Sequence, residues 1–140
     1  MNAKKIFNPK WWLVVFALLH TVMFLMPQLF ATSSVIEMAW GAGKAPAYAG
    51  FYEFRLGVLG IAYTPMLLAV AFLTAGKTRA KIALVTALGM GVTVVLDVGV
   101  SIQEPGYLED MSMAFLIGLP VVIFGGMVVA GVLHLNDEEG

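Results

Sequence analysis

The chain has 140 residues, of which 60% are hydrophobic and only 12% charged. Soluble domains carry about 25% charged residues, so too few polar side chains are present to cover a water-facing surface, and the same apolar content excludes intrinsic disorder. A formal net charge of −1 without a basic face excludes nucleic-acid binding, and the absence of cysteine removes disulfide scaffolds, thiolate catalysis and cysteine metal sites.

In chain order, Lys4, Lys5 and Lys10 precede a first apolar run from Trp11 to about Phe30. Lys4 and Lys5 resemble the basic start of a signal peptide. The run exceeds the usual ~7–15 residue apolar region of such signals, and Leu29-Phe30-Ala31 is a poor cleavage site, so the segment reads as a retained span. The longest connection, Ala31 to Gly50, follows, with Trp40 and a Gly/Ala/Pro-rich stretch. It reads as a lid or a docking surface. Gly41-Ala42-Gly43-Lys44 lacks the glycine spacing, the Ser/Thr and the strand of a phosphate loop.

Further apolar runs cover about Phe51 to Thr74, Ile82 to about Ile102 and Met113 to about Leu135. Each approaches or exceeds the ~20 residues that cross ~30 Å of hydrocarbon at ~1.5 Å per residue. The runs are continuously apolar rather than alternating, which excludes a β-barrel. No repeat or linker interrupts them, so residues 1–140 read as one all-α membrane domain, an antiparallel four-helix transmembrane bundle.

Lys77, Arg79 and Lys81 join the N-terminal lysines on one side, while the other side carries only Lys44 and Arg55. The positive-inside rule then predicts cytoplasmic termini, N-in and C-in. Trp11 and Trp12 mark the inner interface; Trp40, Tyr48, Tyr52 and Tyr107 suit the outer one.

Helices associate in lipid through small residues. The fourth run offers Ala114, Gly118, Gly126 and Ala130 on one stripe, the third Ala83, Ala87 and Gly91, and the second Gly57 and Gly60. Pro65 and Pro120 sit inside runs and predict kinks.

Six acids fall on the outer half: Glu37, Glu53, Asp97, Glu104, Glu109 and Asp110. Asp97 lies roughly 24 Å along the third span from Lys81, hence roughly 6 Å below the outer boundary, and Arg55 enters the second span to a similar depth. Antiparallel neighbours predict an Arg55–Asp97 ion pair, a partner that lowers the ~2.5–3.5 kcal/mol cost of an intramembrane aspartate. This pair is either a binding site or a structural lock. Thr86, Met90, Thr93, Asp97, Ser101 and Glu104 share one helix face, and Glu53, Gly57, Gly60 and Thr64 another. These faces either line a wet crevice or hold hydroxyls bonded back to their own helix.

His20 falls in mid-span, as a proton relay, a ligand or a packing residue; His134 lies at the opposite end of the fourth span, which argues against a bis-histidine haem within one chain. Met23, Met26, Met38, Met111 and Met113 fall in the outer half, but nine methionines in an apolar chain read as core filling rather than a copper site. No metal site and no cofactor is expected. Neither an HExxH pair nor a GxSxG elbow occurs. The Asp137-Glu138-Glu139 run reads as a solvated tail.

Arg55-Leu56-Gly57 with Gly60, the short basic loop Gly76-Lys77-Thr78-Arg79 and the late acid Asp97 resemble, over about half the chain, the small bacterial DoxX-like four-span membrane proteins. The resemblance implies an inner-membrane bundle and carries no catalytic residue with it. Three functions compete: a non-catalytic membrane subunit that packs against itself or other subunits; a small homo-oligomeric transporter or channel for protons, cations or a small solute; and an intramembrane enzyme acting on a lipid or quinone, with Glu53, Asp97 and Glu104 as acid/base groups. The first is favoured, since the loops are minimal and no catalytic motif occurs.

Overall fold

The computed structural model describes residues 2–101, 103–108 and 117–138, and every regular element among them is helical. Asn2 caps α1 (Ala3–Ile6), its side chain accepting from the Lys4 N–H, and Asn8 caps α2 (Pro9–His20) by accepting from the Lys10 N–H at 3.0 Å. Pro9 at the first turn of α2 loses no helical bond, because that N–H has no partner there anyway.

The first span then leaves α geometry. Residues Thr21–Leu25 form a π segment before α3 (Met26–Phe30). Pro27 accounts for it: its ring clashes with the carbonyl four residues back, Met23, and a π turn moves that carbonyl aside. The same cause acts in the second span. There α5 (Ala49–Gly60) and α6 (Tyr63–Leu73) are separated by a turn at Ile61–Ala62, and Ile61 is four residues before Pro65. Ile117 and Gly118 are π-type just before α8 (Leu119–Leu133), whose first turn holds Pro120. The unbroken helix is α7 (Gly76–Ser101), 26 residues with no proline.

Among the described residues, three helical stretches are long and apolar enough to cross a membrane: Ala3–Phe30, Ala49–Leu73 and Gly76–Gly99. The apolar helix α8 has 15 residues. The expected start of the fourth span at Met113 lies outside the described residues, as do Glu109, Asp110, Met111 and Ala114. Only 17%, 17% and 11% of the three apolar windows is buried within the chain. Apolar surface left open on this scale is stable in lipid and not in water.

The helices meet through small side chains. The largest contact joins α7 to α8, and the next joins α2 to α6. Ala17, Ala71, Ala83, Ala87 and Ala130 are all buried to 1% exposure or less. Leu13, Phe16, Leu67, Ile123, Phe124 and Met127 fill the space between them. The Trp12 ring occupies the space a Cβ would take at Gly126, and Trp12 is held there by its Nε1–H donating to the Ile6 carbonyl and by stacking on Phe7. So Trp12 is a packing residue, while Trp11 is exposed.

Both termini and the basic turn share one end. Lys4 pairs with Asp137 at 2.7 Å, Asp137 also binds His134, and the His134 ring meets the Lys4 carbonyl. Gly131 near the end of α8 lies against Ala80 and Leu84 at the start of α7. Thus Asp137, expected in a solvated tail, clasps the two ends of the chain together.

Candidate functional site

At the opposite end, the long first connection is partly helical. Thr32–Trp40 forms α4, a helix not foreseen from the sequence, and Gly41 ends it at φ +76°, a left-handed backbone that suits glycine. The amphipathic α4 packs on α5 and builds a second small core from Ala39, Trp40 and Ala49, with Ile36, Tyr107 and Leu108 against it. The Leu108 N–H donates to the Ala39 carbonyl at 2.6 Å, which fastens the segment after α7 onto the end of α4.

A cavity of about 190 Å³ opens beside this core. Its aromatic wall is Trp40, Tyr48, Tyr52 and Tyr107. Its polar wall is Asp97, Ser101 and Glu104, one face of α7 continued past its end. The rings meet at angles: Trp40 lies 4.7 Å from Tyr107 at 54° and 6.3 Å from Tyr48 at 87°. Trp40 is buried and its Nε1–H has no hydrogen-bond partner among the described residues. Burial and the nearby carboxylates of Glu53 and Asp97 push the Tyr107 phenol upward, so it stays protonated.

Glu53 is the buried acid of this end, 2% exposed. Gln28 of α3 and Tyr107 lie close to its carboxyl group, and its Oε1 has no hydrogen-bond partner among the described residues. The charge of Asp97 is felt at Glu53, Tyr52 and Tyr107, so the two acids and two phenols form one electrostatic cluster.

Arg55 stands outside that cluster. The expected Arg55–Asp97 pair is not formed: the ion pairs among the described residues are Lys4–Asp137 and His134–Asp137. Helix phase explains it. Arg55 lies two positions after Glu53, about 200° around a helix; with Glu53 turned inward, Arg55 is turned outward and exposed. The lock reading of Arg55 and Asp97 therefore falls, and the acids of the cavity have no arginine or lysine paired to them among the described residues.

The expected α7 face divides. Asp97, Ser101 and Glu104 line the cavity, Met90 packs on the main core, and Thr93 is exposed with its hydroxyl donating to the Gly89 carbonyl. The second-span face of Glu53, Gly57, Gly60 and Thr64 meets the first span along its length. A Cβ on Gly57 would stand 2.9 Å from Gln28 Cβ, and one on Gly60 would stand 3.4 Å from the His20 ring. Thr64 Oγ1 lies 2.7 Å from Thr21 Oγ1 and 3.4 Å from His20 Nδ1. Thr21 donates to the Ala17 carbonyl, so Thr64 is the donor to Thr21 and accepts from His20 Nδ1–H. The imidazole also lies among Phe16, Phe24 and Tyr63. His20 thus sits in a polar chain at mid-span, apart from the cavity, and no three His, Cys, Asp or Glu gather as a metal set among the described residues.

Among the expected packing positions, Ala87, Gly57, Gly60, Gly126 and Ala130 are in helix contacts, whereas a Cβ on Gly91 or Gly118 would meet nothing within 4 Å. The convergence of Trp40, Tyr48, Tyr52 and Tyr107 is not visible in sequence, because these rings come from α4, its following turn, α5 and the segment after α7. Comparison with family models, curated proteins and solved structures finds no match.

Proposed function

We propose that the chain is a non-catalytic, four-span bacterial inner-membrane protein, N-in and C-in, that takes a small cation from the outer side, working as a homo-oligomeric transporter or channel. The observation that carries this reading is the set of acids at the cavity end: Asp97 and Glu104 in its wall and buried Glu53 beside it, with Arg55 turned away. Acids gathered in or near a membrane without a counter-cation favour a positively charged solute. The basic end, with Lys77, Arg79, Lys81 and both termini, supports the cytoplasmic assignment of that end. The DoxX-like resemblance agrees with the layout.

Proteoliposomes under an inside-negative potassium diffusion potential test this. Protein-dependent uptake of protons or a small cation is expected, lowered about tenfold or more by Asp97→Asn. Unchanged uptake in Asp97→Asn removes that carboxylate from the path. A second reading, an accessory subunit, rests on the apolar helix faces the chain does not bury itself; it is the one to adopt if no protein-dependent flux occurs and a stoichiometric partner copurifies.

A further inference from the structure

We propose that the cavity beside Trp40 binds a small alkylated ammonium ion. The inference deepens the cation reading above and rests on it for which side the cavity faces, not for the chemistry of the site.

Three features of the cavity choose this ligand class. Four aromatic side chains form one wall, with Trp40, Tyr107 and Tyr48 set at steep angles rather than stacked, so ring faces are presented from different directions. Aromatic faces combined with carboxylates recognise alkylated ammonium groups, whose charge is spread over methyl groups that also favour apolar contact. Asp97 and Glu104 supply the carboxylates in the wall, and neither is paired with a cation among the described residues.

The size agrees. About 190 Å³ is far more than a proton site needs. It falls below the ~300–1,000 Å³ of pockets that hold drug-sized ligands. A bare divalent ion is a poor match, since it takes about six or more oxygen ligands, and no three His, Cys, Asp or Glu among the described residues stand close enough to hold one metal ion.

Choline, tetramethylammonium and the uncharged choline isostere 3,3-dimethylbutanol are the probes, measured by equilibrium dialysis and tryptophan fluorescence on the purified full chain in nanodiscs. Choline should bind saturably. The isostere should bind about tenfold or more weakly, a loss of about 1.4 kcal/mol or more. Asp97→Asn should weaken choline by a similar factor. Because Asp97 is itself exposed, this variant should fold; Glu104→Gln, also exposed, is the second variant and should act in the same direction. Equal binding of the charged and neutral probes, absence of choline binding, or displacement of choline by stoichiometric calcium would overturn the proposal. Choline binding without flux leaves this assignment standing and removes transport; proton or alkali flux without choline binding does the reverse.

Discussion

Single residues decide how this chain packs, and the glycines show how. Gly131 is the tightest approach of α7 and α8: a Cβ there would stand 3.0 Å from the Ala80 carbonyl oxygen and 3.3 Å from the Leu84 backbone, atoms that cannot turn aside. Gly125, six residues earlier, has nothing within 4 Å. Gly131→Val should therefore cost about 1–3 kcal/mol, as overpacking does, while Gly125→Val should cost little. Thermal unfolding of both variants in one detergent measures the difference. Gly126, Ala130 and Ala87 could be picked from sequence because a stripe of small residues marks a helix contact. Gly131 could not, since it lies off that stripe and its neighbours belong to another helix. Arg55 and Glu53 teach the complementary lesson. Their depth along the span was readable, but which of them faces inward depends on helix phase relative to partners, and that is set by Gly57 settling on Gln28 and Leu29.

At the scale of elements, apolar run length made the helical class and three long apolar helices readable, because 1.5 Å per residue against a fixed hydrocarbon thickness leaves little choice. The kinks were partly readable. Pro65 breaks its span at Ile61–Ala62 and a π turn precedes Pro120, both as expected for a ring that cannot accept the carbonyl four residues back. Pro27 has the same effect and reshapes the first span, placing Gln28 toward Glu53. The helix α4 was hidden, since Thr32–Trp40 is too short and too mixed in polarity to stand out beside true spans. The aromatic cavity depends on α4, so it too was hidden.

At the scale of the molecule, the two ends differ in charge. One gathers the termini with Lys77, Arg79 and Lys81; the other gathers Glu53, Asp97 and Glu104 around aromatic rings. The clasp at the terminal end has a pH signature. Lys4 and His134 hold the Asp137 carboxyl below its ordinary value of 3.8. A depressed carboxylate contributes stability above its unfolded pKa and loses it as pH falls through the folded one. The clasp should therefore hold at neutral pH and open only in acid below 3.8. Carboxyl NMR titration of Asp137 should give a midpoint below that value, moving upward in Lys4→Ala.

The account as a whole rests on an even number of crossings with the aromatic cavity facing out. The native chain has no cysteine, so single cysteines report topology cleanly. Ala42→Cys and Gln103→Cys sit at the cavity end, Asn136→Cys at the terminal end, all at exposed positions. With a membrane-impermeant maleimide on intact spheroplasts, Ala42→Cys and Gln103→Cys should label at once, and Asn136→Cys only after permeabilisation. Labelling of Asn136→Cys in intact spheroplasts, or protection of Ala42→Cys, would contradict it.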